Sequence, residues 1–278
     1  MPTQPSATER AATAVAEAIG AHALATFVAL LVLLLVAVAL LAWSADRVAR
    51  RRSGRPLHPW ARLTLGVGLG FALIVGAALA FAAIAEEVVD GGAMQRVDQA
   101  FMDAVHRSTS AAALDAFQAI TRLGDPPTLA ALCVIGALGL WWRGERVLST
   151  AFVAAIAGNS LLNPALKLVF ERVRPLDDQG LPRADGWSFP SGHSSGSLVA
   201  YGMLAYVLLR TLPRAWHLPA VLAASAVAFS VGASRVFVQA HFASDVLAGF
   251  ASGSAWLVTC IVSAELALGW QRHRRPPG

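Results

Sequence analysis

The chain has 278 residues, of which 56% are hydrophobic and only 14% charged. Soluble domains carry about 25% charged and about 45–50% apolar residues, so a disordered chain is excluded and an ordinary soluble domain disfavoured. Two cysteines are too few for a disulfide scaffold, and Cys133 and Cys260 lie in apolar runs that suit buried small side chains.

Residues 1–20 contain Ala, Thr and Pro and predict a loose tail. Beyond them the chain reads as membrane spans, each of which needs about 20 mostly apolar residues. Seven stretches meet or approach that length: Ala23–Trp43, Leu63–Ala85, Thr128–Trp142, Val147–Phe170, Ser194–Leu209, Leu218–Val238 and Phe242–Leu268. None alternates as a membrane β-strand does, so the fold class is all-α, a polytopic membrane helical bundle. The first stretch is longer than a signal-peptide core, lacks a basic lead and is followed by Arg47, Arg50, Arg51 and Arg52. It is therefore read as a retained span.

Residues 86–125 separate the second and third spans. Val97, Phe101 and Val105, then Leu114, Phe117 and Ile120, recur at helical spacing, with Asp98, Asp103, His106, Arg107 and Asp115 between them. This pattern fits amphipathic helix on the outer membrane surface, or a packed helical loop covering the bundle. In the fourth span Pro164, with Asn159, Ser160 and Asn163, predicts an interruption.

Basic residues orient the bundle. One side collects Arg47, Arg50, Arg51, Arg52, Arg55, Arg62, Arg143, Arg146, Arg210, Arg214, Arg272, Arg274 and Arg275, which is 13 of the 22 Lys and Arg. The C-terminus is then cytoplasmic and the N-terminus outside. The net charge of +5 becomes a topology signal, and no nucleic-acid partner is expected.

Polar residues are costly near a membrane, and three clusters of them fall on the outer side. Lys167 and Arg174 are seven residues apart, on nearly one face if the fourth helix continues to Pro175. Such a cationic face suits an oxygen-rich anion, although Lys167 alone also fits a snorkelling anchor. Pro190-Ser191-Gly192-His193 opens the fifth span: Ser191 can cap the helix, Gly192 permits close backbone approach, and free amides there attract anions. Ser234, Arg235, His241 and Asp245 form the third cluster. On a helix His241 and Asp245 share a face, so the carboxylate can hold one imidazole nitrogen and leave the other as base or nucleophile. Each cluster alone fits a structural role about as well. Together they supply what phosphoryl transfer needs: cations, amides and two histidines, either of which can be the nucleophile. No metal-ligand motif or phosphate-cradling glycine loop appears, so neither a metal nor any other cofactor is implied.

The pattern K-x6-R-P, then P-S-G-H, then S-R-x5-H-x3-D resembles that of the type 2 phosphatidic acid phosphatase (PAP2) superfamily. It is carried by Lys167, Arg174 and Pro175, by Pro190–His193, and by Ser234, Arg235, His241 and Asp245. The stretch Ile120–Asp125 also looks like bacterial members. The resemblance implies a PAP2-like six-helix core with one extra N-terminal transmembrane helix. The organisation is then 1–61 as tail, extra span and basic loop, 62–268 as the phosphatase membrane domain, and 269–278 as a basic cytoplasmic tail. It further implies a bacterial inner-membrane enzyme, whose site the arginine count puts on the extracytoplasmic side. Its substrate would be a lipid phosphate or isoprenyl diphosphate, of the phosphatidic acid, phosphatidylglycerol phosphate or undecaprenyl diphosphate class, with membrane lipid around it. His241 would be the nucleophile that forms a phosphohistidine, Asp245 its orienting partner and His193 the general acid. Lys167, Arg174, Ser191, Gly192 and Arg235 would hold phosphate, without a metal. The loop Leu176–Trp187 is a candidate for shaping headgroup choice. A phosphotransferase of the same superfamily is the alternative. A transporter using these charges fits less well, because they gather at one boundary rather than at midplane.

Overall fold

The structure, a computed structural model, describes residues 6–51, 59–175 and 185–274. Ten α-helices and two 3-10 turns make up the described residues, with no strand among them. Five helices are long and apolar enough to cross a membrane, or six if one bent pair counts as a span.

The N-terminal segment departs from the expected loose tail. Helix α1 (Ala7–Ala21) starts with a complete capping box between Ser6 and Glu9. Helix α2 (Ala23–Arg51) is the first candidate span and runs past the expected Trp43. Its Phe27 packs on Phe117, Phe229 and Phe237, which ties the extra helix to the bundle. Helix α3 (Pro59–Val89) is the second span.

Helices α4 (Ala93–Ser108) and α5 (Ala111–Thr121) fill the outer segment. They are packed helices of a cover. Gly20 of α1 lies so close to α4 that a Cβ there would sit 2.7 Å from Ala104 Cβ and 2.8 Å from the Phe101 carbonyl. Arg96 of α4 pairs with Glu9 at 2.7 Å. Asp98, expected on the polar face, is buried.

A 3-10 turn (Arg122–Gly124) bends the chain by 44° into α6 (Pro126–Trp142). Helix α7 (Arg146–Phe170) runs through Pro164 without a break, so the expected interruption of the fourth span is absent. Asn159 and Asn163 instead reach sideways to Ser195.

Helix α8 (Gly192–Thr211) is the centre of the bundle, enclosed by α7, α9 (His217–Phe237) and α10 (Ala243–Arg274). It is not among the helices apolar enough to span by themselves, which differs from the seven-span count. The reason is its position. Ser194, Ser195 and Ser197 face protein rather than lipid and are buried. The main core lies beneath them, with Phe152, Val199, Met203 and Cys260 packed together and Cys133 at its edge.

Chain direction alternates through the bundle. The turns after α6 and α8 lie at one end, and the segments before α4, α8 and α10 lie at the other. Glu265 of α10 accepts from Tyr206 of α8 at the first end, and Asp46 of α2 pairs with Arg214 there. The three sequence clusters gather at the opposite end.

Candidate active site

The first cluster is not one helical face. Helix α7 stops at Phe170 because Glu171 adopts a left-handed conformation (φ 45°), before Pro175 is reached. Residues 172–175 are irregular, and Ser188 N donates to the Arg172 carbonyl at 2.8 Å. Lys167 stays on the helix and donates to the Trp187 carbonyl at 2.7 Å. Arg174 donates through Nη1 to the Ala240 carbonyl at 2.8 Å and through Nε to Gly186 at 2.9 Å. The two expected phosphate-holding cations therefore come from a helix end and a separate loop.

The second cluster forms a capped helix start. Ser191 is the N-cap of α8, and its hydroxyl accepts from Ser194 N. The Gly192 and His193 amides lie in the first turn, where a helix offers no internal acceptor. Gly192 is tightly enclosed: a Cβ would stand 2.8 Å from Asn163 Oδ1. Its missing side chain makes room for Asn163. Gly249 of α10 is equally close, since its Cβ would meet the Ser191 carbonyl at 2.6 Å. The Ser191 amide donates to the Asp245 carbonyl at 3.0 Å, which joins the second cluster to the third.

The third cluster spans a turn between helices. Arg235 lies in the last turn of α9, and Gln239 (φ 57°) reverses the chain. His241 lies before α10 begins, so the pairing with Asp245 comes from this turn rather than from a shared helical face. Asp245 Oδ2 is 3.4 Å from His241 Nδ1, and the Phe242 amide donates to the same oxygen at 3.0 Å. On the far side of the ring, Arg174 Nη1 stands 3.2 Å from His241 Nε2. A guanidinium only donates, so Nε2 carries the lone pair and Nδ1 the proton that faces the carboxylate. His241 is 2% exposed and Asp245 fully buried. Burial lowers the imidazole pKa to about 3, with Asp245 opposing the shift. Burial likewise lowers the Arg174 guanidinium from its ordinary value, yet such a group stays charged.

Arg172 holds these parts together, and sequence reasoning missed it. Its Nη1 donates to Asp245 Oδ1 at 2.6 Å, and its Nη2 donates to Asp98 Oδ2 at 2.8 Å. Ser188 donates to Asp245, and the Ser244 hydroxyl donates to Asp98. Burial raises the Asp98 pKa, while Ser244 and Arg172 pull it back. The only available signal was the first arginine in Glu-Arg-Val-Arg, uninterpretable while the segment was taken for helix. Arg235 Nη1 donates to Thr121 Oγ1 at 2.7 Å. Its Nε is buried without a partner among the described residues, an unsatisfied donor. His193 Nε2 lies 2.9 Å from Asp125 Oδ1. No group of three or more His, Cys, Asp or Glu suited to a metal occurs among the described residues. Most of the expected selectivity loop, 176–184, lies outside them.

The geometry has parallels among known proteins. The model of the PAP2 superfamily matches residues 148–267. Phosphatidylglycerophosphatase B of Bacillus subtilis (strain 168) is 33% identical over 175 residues, which is 62% of this chain and 86% of that protein. Lipid A 1-phosphatase of Rhizobium etli is 33% identical over 156 residues, 50% of this chain and 61% of that one. The crystal structure of a transmembrane PAP2 type phosphatidylglycerolphosphate phosphatase from Bacillus subtilis aligns with a TM-score of 0.62 at 30% identity. That alignment covers 73% of this chain and 97% of the crystallised one. With the motifs, the bundle and these relatives in agreement, the chain belongs to the PAP2 superfamily.

Proposed function

We propose that this PAP2-type membrane enzyme hydrolyses the phosphate of a lipid phosphate or isoprenyl diphosphate through a phosphohistidine on His241, without a metal. The observation that carries the reading is the His241 ring. Its Nδ1 faces Asp245 and its Nε2 faces only a donor, so a neutral nucleophilic nitrogen points at a guanidinium that can bind phosphate.

In this mechanism Arg174 releases Nε2 and takes phosphate oxygens instead. Lys167, Arg235 through its unpartnered Nε, and the amides of Gly192 and His193 take the rest of the charge. Nε2 attacks phosphorus and the bond to the leaving oxygen breaks. His193 gives that oxygen a proton, and Asp245 steadies the cationic His241 ring. A water then attacks the phosphohistidine, gives its proton to His193, and free phosphate leaves. The named relatives act on phosphatidylglycerophosphate and lipid A, which supports an amphiphilic substrate whose tail stays in the bilayer. The arginine distribution supports a site on the extracytoplasmic side of a bacterial inner membrane, with the C-terminus cytoplasmic.

The test is phosphate release by detergent-purified protein in EDTA across lipid phosphates and isoprenyl diphosphates. Wild type should turn over, and His241→Ala should lose at least about a thousandfold in kcat. Comparable rates in the variant would refute the nucleophile. Activity lost in EDTA and restored by magnesium would refute the metal-free reading.

A further inference from the structure

The bend between α5 and α6, residues 121–125, touches the site at two points. Thr121 holds Arg235 at 2.7 Å, and Asp125 meets His193 at 2.9 Å. Between them Gly124 admits the imidazole: a Cβ there would sit 3.1 Å from His193 Cδ2 and 2.4 Å from Val231 Cγ1. The bend is itself anchored. Tyr201 of α8 donates to the Leu123 carbonyl at 2.9 Å, and Thr128 donates to the Arg122 carbonyl at 2.7 Å.

Asp125 occupies the N-cap of α6 in an extended conformation, and the two residues that follow, Pro126 and Pro127, offer it no amide to accept from. Its side chain makes no such bond. The carboxylate turns to the histidine instead. A carboxylate only accepts, so His193 Nε2 carries a proton and the working nitrogen is Nδ1.

We infer that Asp125 is a positioning residue for the acid step, so that the site uses two His–Asp pairs, His241–Asp245 for attack and His193–Asp125 for protonation. This rests on the function proposed above. Asp125 holds the Nε2 proton and opposes the burial that lowers the ring's pKa to about 4, so it favours the doubly protonated form the acid step needs. The Nδ1 proton then passes to the leaving oxygen as the phosphorus–oxygen bond breaks, and Nδ1 recovers one from the hydrolytic water. Thr121, on the same bend, sets the reach of Arg235. A single rigid segment thereby places both the acid and one phosphate donor.

Leaving-group chemistry separates this role from a merely structural ion pair. Nitrophenolate leaves without help, whereas a lipid alkoxide needs its proton. In detergent-purified full-length protein, Asp125→Asn should lose roughly 10- to 1,000-fold in kcat/KM on a long-chain alkyl phosphate. On p-nitrophenyl phosphate the loss in kcat/KM, which reports the first step and not the later attack of water, should stay within about threefold, because acid assistance is not needed there. Adding the change to His193→Ala should cost nothing further, and Asp125→Glu should recover part of the alkyl phosphate rate. Equal losses on both substrates, or an added loss in the His193→Ala background, would overturn the assignment. Histidine NMR supplies a reading independent of turnover: the His193 Nε2 proton should be protected in wild type and exchange faster in Asp125→Asn. An Nε2 proton indifferent to Asp125 would also overturn it. An inactive wild type that keeps the Asp125-dependent proton would sink the proposed function while the pairing stood.

Discussion

At the scale of single residues, the buried charges carry the risk. Asp98, Arg172 and Asp245 form one chain of contacts in which the guanidinium serves two carboxylates. Removing one partner of a buried pair strands the other, at about 3–5 kcal/mol. Arg172→Met should therefore lower thermal stability strongly, and adding Asp98→Asn should recover part of it; full additivity in melting experiments would show that the contact is not coupled. His241 carries a second prediction. Its pKa is about 3 in the folded chain, against about 6.5 when unfolded. Below pH about 6.5 the unfolded state binds a proton that the folded state refuses, so stability falls with acidification towards about 3. The melting temperature of His241→Ala should fall less steeply over that window, and identical slopes would contradict a neutral buried ring.

At the scale of elements, close helix packing sets the site. Gly249 lets α10 lie against the α8 cap, where a Cβ would stand 2.8 Å from Ser194 Cβ. Gly249→Val should cost about 1–3 kcal/mol through overpacking and reduce turnover as well, since it pushes at Ser191, whose amide binds the Asp245 carbonyl, and at Ser194. Gly139 in α6 is the contrast, with nothing within 4 Å of its absent Cβ. Gly139→Ala should stabilise the helix by about 0.5–1 kcal/mol and leave turnover unchanged. A melting temperature that falls in Gly139→Ala, or stays level in Gly249→Val, would contradict this account of the packing. The same scale explains two departures from the sequence reading. Helix α7 ends early because a left-handed residue, not the proline, turns the chain. Helix α8 is too polar to pass as a span because helices, not lipid, surround it.

At the scale of the whole molecule, alternating helices put all three clusters at one end and the arginine-rich turns at the other. The proposed orientation makes Asp90, beside the site end, reachable from outside the cell. Glu145, in the turn after α6, faces inwards. Single cysteines at these positions, with Cys133 and Cys260 replaced by alanine, should respectively label and not label with an impermeant reagent on intact cells. The reverse pattern would place the site on the cytoplasmic side.

Composition and apolar run lengths determined the membrane bundle, since a bilayer demands long apolar helices wherever the chain crosses. Motif spacing likewise marked His193, Arg235, His241 and Asp245 as candidates, because each pattern is local along the chain. Long-range contacts were not legible. Asp98 stands 74 residues from Arg172, and Asp125 stands 68 residues from His193. On a helical wheel Asp98 looks like an ordinary exposed position, and nothing near Asp125 in the sequence points to a histidine. Only tertiary structure decided that Asp98 is buried under the outer helices and that Asp125 meets an imidazole. A charge's role depends on what the fold brings within hydrogen-bonding distance, and local periodicity holds no record of that distance.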